Sequence, residues 1–136
     1  MKRAVLWIAA AAAAIFTGIQ FIPAARTNPP VEYHVAWDSP RTQELFYRAC
    51  ADCHSHETRW PWYSRVAPVS WLVAKHVRDG RLDMNISVED EVDVTEAVDE
   101  IRKGEMPPAD FKLMHPEARL SEAEKAELIS GLKKTF

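Results

Sequence analysis

The chain has 136 residues, 47% of them apolar and 27% charged, the balance of a small globular domain and not of a disordered segment. Its formal charge of −3 conceals an asymmetry: Lys2, Arg3 and Arg26 flank one apolar run, and residues 27–136 carry 14 basic against 20 acidic side chains, a net of −6. No basic stripe is present and the overall sign is wrong for gripping phosphates, which excludes nucleic-acid binding.

The first element is the uncharged run from Ala4 to Ile22, in which Thr17 and Gln20 are the only polar side chains. Its 19 residues, as helix, rise about 28 Å, close to the ~30 Å hydrocarbon thickness of a bilayer. A removed signal peptide has a shorter apolar run and ends on small residues at −1 and −3. Cleavage after Ala25 or Ala24 would set Pro23 or Ile22 at −3, so residues 1–26 are expected to stay as an anchor. With Lys2 and Arg3 on the cytoplasmic side, everything after Arg26 is exported.

Residues 27–38 read as a proline-stiffened linker, in which Tyr33, Val35 and Trp37 alternate like a strap laid on a surface. Residues 39–136 form the domain. Ser39-Pro40 is a helix start, and Leu45, Phe46 and Ala49 give that helix an apolar face running into Cys50. Val69, Leu72, Val73, His76 and Val77 predict a second helix ending near Gly80. Ser87 with Asp90 resembles a capping box for a third, striped by Val94, Ala97, Val98 and Ile101 and closed by Gly104. Ser121 with Glu124 is a capping box for a last helix striped by Leu128, Ile129 and Leu132. No segment has a strand period, so the domain is expected to be all-α. The run Glu89–Glu100, with seven carboxylates in twelve residues, reads as a solvated helix face, or alternatively as a docking face for a basic partner.

The only two cysteines stand in "CADCH", residues 50–54. A C-x-x-C redox dithiol belongs in a βαβ context that is missing here, and zinc wants four ligands, commonly two such pairs. The remaining chemistry is covalent haem attachment. Cys50 and Cys53 add to the two vinyl groups as thioethers, and His54, one residue on, reaches the iron. One haem c is the expected cofactor.

A closed six-coordinate iron needs a second ligand. Met106 in "GEMPPADF" offers a thioether on a proline-stiffened loop and is the first candidate. His76, on an apolar helix face, is the alternative, and Met84, Met114, His34, His56 and His115 are weaker ones. In "ETRWPWYSR", Trp60, Trp62 and Tyr63 are candidates to wall the macrocycle and Arg59 and Arg65 to hold its propionates; an ordinary aromatic core explains the same residues equally well.

With these residues in hand, the chain resembles the haem-binding domain family of bacterial membrane-anchored, cytochrome c-like proteins. The resemblance runs through "QFIPAARTNPPV", "ACADCHSHETRWPWYSRVAPVSWLVAKHVRDGR", "GEMPP" and "HPEARLSEAEKAELI" and covers roughly residues 20–132. It implies a class I cytochrome c-like helical haem domain behind one transmembrane helix in the bacterial inner membrane, facing the periplasm. It also implies a single c-type haem on Cys50, Cys53 and His54, with Met106 as sixth ligand by similarity to the Met-Pro loop of such cytochromes. The expected role is an electron carrier, not an enzyme, with an unidentified redox partner protein. The rival readings are a haem-based sensor or small-ligand binder with an open or displaceable sixth site, and a weak peroxidase-like enzyme.

Overall fold

The apolar run forms one helix, α1 (Lys2–Ile19), none of whose residues is buried. With a mean hydropathy of 1.5 it is long and apolar enough to cross a membrane. The computed structural model describes residues 1–88 and 92–136, and among these the regular elements are all helical. After α1 come α2 (Pro40–Ala49), α3 (Ala51–His54), α4 (Val69–Asp83), α5 (Val94–Lys103), α6 (Ala109–Met114) and α7 (Glu122–Thr135). Single 3-10 turns occur at Trp62–Arg65 and Pro116–Ala118. The all-α expectation therefore holds.

Two capped helices carry the core. Ser39 accepts the Thr42 amide at the start of α2, where Pro40 needs no partner for its nitrogen. Ser121 and Glu124 close a reciprocal capping box on α7. The faces that these caps orient meet: Leu45 and Phe46 of α2, Leu128 and Leu132 of α7 and Ile101 of α5 are almost wholly removed from water. Each such side chain stabilises the fold by roughly 1.5–3 kcal/mol. The approach is close enough to require Gly131, because a Cβ there would lie 2.0 Å from Thr42 Oγ1. The strap completes this core. Val31, Tyr33, Val35 and Trp37 are half-buried while the residues between them are exposed. The amides of Glu32 and Tyr33 donate to the Ser87 carbonyl, and the Trp37 ring lies 5.1 Å from Phe46.

Three expectations change. α4 runs past Gly80 to Asp83. Gly80 is not a stop but a contact, since a Cβ would come within 2.8 Å of the Cys53 carbonyl oxygen. The stripe on α4 buries only its lower half: Val77 is in the core, whereas Val69 and Leu72 are exposed. Of the proposed Ser87–Asp90 box, Asp90 lies outside the described residues. Ser87 itself is buried and accepts the His56 amide, and α5 is capped by Asp93, whose carboxylate accepts from Thr95. α5 ends as expected on Gly104, with φ of 76°.

Candidate functional site

Cys50 closes α2 and opens α3. The amides of Cys53 and His54 both donate to the Cys50 carbonyl at 3.0 Å, so the five-residue motif is a single helical turn. A turn of 3.6 residues brings Cys53 and His54 back to the side of Cys50. The residue that points away, Asp52, is buried and binds Arg59 through its backbone amide at 2.8 Å and its guanidinium at 2.9 and 3.2 Å. That pair ties the motif to the aromatic segment that follows. Behind it, α4 packs flush through Gly80.

His54 Nδ1 lies 3.1 Å from the carbonyl oxygen of Met84. A carbonyl only accepts, so Nδ1 carries the proton and Nε2 keeps its lone pair for a metal. Burial lowers the His54 pKa, which holds the ring neutral, as ligation requires. Burial also pushes the Cys50 thiol up to about 12 and Cys53 to about 11. Reactive dithiols have the opposite property, a depressed pKa that makes thiolate at neutral pH. Among the described residues no group of three or more His, Cys, Asp or Glu side chains converges to hold an ion, so nothing completes a zinc set around the two thiols.

Two cavities meet at this turn. One, of about 240 Å³, is lined by Cys50, His54 and Met106 with the apolar Phe46, Ile101 and Leu132. The other, of about 130 Å³, is lined by Cys50, Cys53, His54, Met106, His76 and Phe111. Met106 thus shares both spaces with His54, on the non-helical stretch between α5 and α6 and packed against the core. His76 shares only the smaller one, and its Nδ1 is 3.7 Å from the Asp110 carboxylate. Asp83, Asp93, Glu96 and Glu100 line the larger cavity, so part of the acidic run faces the site and not only solvent.

The other candidates scatter. Arg59 and Tyr63 line a third cavity of about 180 Å³ together with Cys53, His76 and Phe111. Tyr63 bonds His115 Nε2 at 2.6 Å, and the His115 ring stacks on Phe111. Trp60 turns to the linker, donating from its indole to Asn28 at 3.0 Å. Trp62 and Arg65 are exposed and line none of the three. Met84 contributes its carbonyl and is among the residues lining the larger cavity, Met114 lines the third cavity, and His34 is exposed. His56 is buried between the Pro30 carbonyl and the Asn85 amide. Sequence reasoning missed Met84 as the orienting acceptor, because a backbone carbonyl leaves no trace in residue type.

These residues fit a haem. Two thiols on one turn, a neutral imidazole with one nitrogen held and the other spare, and a thioether lining the same cavities are the donor set that a c-type group uses. Against known proteins, the chain matches over residues 14–134 a family described as a haem-binding domain. No curated protein and no solved structure matched the chain.

Proposed function

This chain belongs to the haem-binding domain family, and from that premise we propose that it is a membrane-anchored monohaem c-type cytochrome carrying single electrons on the exported side. The observation that carries the proposal is the closed turn Cys50–His54 with His54 Nδ1 fixed on Met84. A bound haem supplies an iron that alternates between the ferrous and ferric states.

The chain's own residues do the rest. Cys50 and Cys53 would hold the group by thioether bonds, formed by adding each thiol S–H across a vinyl group, so that it would stay in place where a dissociable haem would be lost. His54 offers Nε2 while the Met84 carbonyl fixes the ring's tautomer and heading and strengthens it as a donor. Met106 is the proposed sixth ligand; its thioether would close the iron to small molecules and raise its potential relative to a second imidazole. Phe46, Ile101 and Leu132 supply the apolar part of the cavity that His54 and Met106 line. α1, with no buried residue and no charge after Arg3, supports anchoring, and the basic Lys2 and Arg3 in its first turn support an exported domain.

The test is extraction. Fully matured protein, unfolded and shaken with acidified organic solvent, is expected to keep its haem in the aqueous phase, and Cys50→Ala/Cys53→Ala to release it. Haem that leaves the unsubstituted protein sinks the covalent reading. Reduced protein is expected to show the same visible spectrum with and without carbon monoxide; a carbon monoxide complex would favour a ligand-binding role over electron transfer.

A further inference from the structure

Beside the cavity that Cys53 and Tyr63 share, the domain presents a set of exposed apolar side chains. Val69 and Leu72 are 42% and 46% exposed at the start of α4, and Leu113 and Met114 are 70% and 49% exposed at the end of α6. All four rim the same cavity, so they form one patch. Trp62, 74% exposed, joins it through Tyr63, which lines that cavity and meets the Trp62 ring edge-on at 5.8 Å. Single exposed apolar side chains are ordinary, but a contiguous patch with an aromatic marks a contact.

Its position identifies what covers it. Gln20 is the residue on which α1 ends. Its side-chain amide grips the backbone of Ala67 at two points, donating to the carbonyl at 3.1 Å and accepting the amide at 2.9 Å. Ala67 is two residues from Val69. Just beyond, the Trp71 indole donates to the Ile22 carbonyl and Arg26 to the Ser64 carbonyl, within the 3-10 turn that carries Trp62. The start of α4 is thus bonded to the point where the apolar helix ends. Phe21 and Ile22, also exposed, continue the apolar character across that junction. A bilayer around α1 must end against this part of the domain.

We infer that the face formed by Trp62, Val69, Leu72, Leu113 and Met114 rests in the lipid interface, so that the domain lies on the bilayer instead of standing off it on a linker. This rests on the reading of α1 as an anchor. The chemistry suits that zone. An interfacial surface combines apolar side chains and Trp with cations for the headgroups, and here Arg65 lies in the Trp62 turn and Arg26 is bonded to its Ser64 carbonyl. The nearby carboxylates Asp110 and Glu117 each lie against a histidine, His76 and His115, and Asp52 is taken by Arg59. Leu82 provides the contrast: it is 77% exposed but at the far end of α4, about 20 Å along the helix from Val69.

The full holoprotein, reconstituted in vesicles of phosphatidylethanolamine and phosphatidylglycerol doped with a phospholipid bearing a diazirine near its glycerol end, is irradiated and digested. Lipid adducts are expected on α1, on the peptide spanning Trp62 to Leu72 and on Leu113 or Met114, but not on the Leu82 peptide. Leu72→Glu is expected to cut labelling of the face several-fold and leave α1 labelled. Adducts on α1 with none on the face overturn this inference and leave the anchor standing. No adduct on α1 removes the anchor and the inference together. Cross-links from the face to a second copy of the chain, in place of lipid, also overturn it.

Discussion

The His54 ring is aimed from thirty residues away, by the Met84 carbonyl oxygen 3.1 Å from Nδ1. That carbonyl is itself held. Asn85 donates to His56 Nε2 at 2.9 Å and accepts the Ser87 amide at 3.1 Å, all of it buried. On the proposed reading, attachment would belong to the thiols and ligation to the imidazole. His54→Ala is expected to keep its haem through extraction while the iron turns high spin, and added imidazole should restore the low-spin spectrum. Asn85→Ala strands His56 and loosens the turn, at a cost of about 1–3 kcal/mol in a denaturant melt.

Gly80 tests the packing behind the motif. A methyl group at this position meets the Cys53 carbonyl oxygen at 2.8 Å and its Cβ at 2.9 Å, both parts of α3 and neither the far end of a flexible side chain. Gly80→Ala is expected to destabilise the protein by about 1–3 kcal/mol, as overpacking does, although alanine favours helix elsewhere. Haem content per chain should fall with it. A Gly80→Ala protein with undiminished melting temperature and haem content would show that α3 and α4 do not need this contact.

How far the sequence disclosed this arrangement depends on which physical rule was at work. Rules that act within a few residues were readable: the caps at Ser39 and Ser121, the left-handed stop at Gly104, the apolar run of α1 and the spacing of the two thiols. Rules that act between segments were not. Gly80 has the look of a helix terminator until Cys53 is seen against it. Trp60 has the chemistry of a haem wall, yet its indole is satisfied by Asn28 of the linker. Val69 and Leu72 fall on the helical period of a buried stripe but are exposed. Periodicity tells which residues share a face. It does not tell what that face meets.

Acid should loosen α7 through one carboxylate. Glu124 accepts the Ser121 amide at 2.9 Å and Arg48 at 2.9 Å, and these contacts hold its pKa down at about 2, against an ordinary 4.5. Between those values the unfolded chain binds a proton that the folded chain refuses. Stability from this group is then fully present above about pH 4.5 and is lost as pH falls toward 2. Glu124→Gln is expected to lower the melting temperature at pH 6 and to flatten its decline between pH 5 and pH 3, followed by far-ultraviolet circular dichroism. An unaltered acid slope would mean that other carboxylates carry it.

On the proposed haem reading, geometry favours Met106 over His76 as the sixth ligand. It shares both cavities with His54, whereas His76 shares one and turns its Nδ1 toward Asp110 at 3.7 Å. The two sites also differ in how they are built. Met106 sits where the amides of Glu105 and Met106 fold back onto the Glu100 carbonyl, at 3.0 and 3.2 Å, which pins the loop to α5. His76 sits within α4, which Gly80 clamps against α3, so the ring has only its two side-chain torsions with which to seek a metal. Thioether and imidazole leave different marks on the iron, because sulfur favours the ferrous state and imidazole the ferric. Oxidised protein is expected to show a weak sulfur-to-iron charge-transfer band in the red. Met106→Ala should abolish the band, lower the reduction potential and let carbon monoxide bind the reduced iron. His76→Ala should leave the band in place and cost at most about 1 kcal/mol of stability, since the side chain is only half-buried. If His76→Ala opens the iron while Met106→Ala leaves the spectrum unchanged, the iron is held by two histidines and the methionine loop is only a wall.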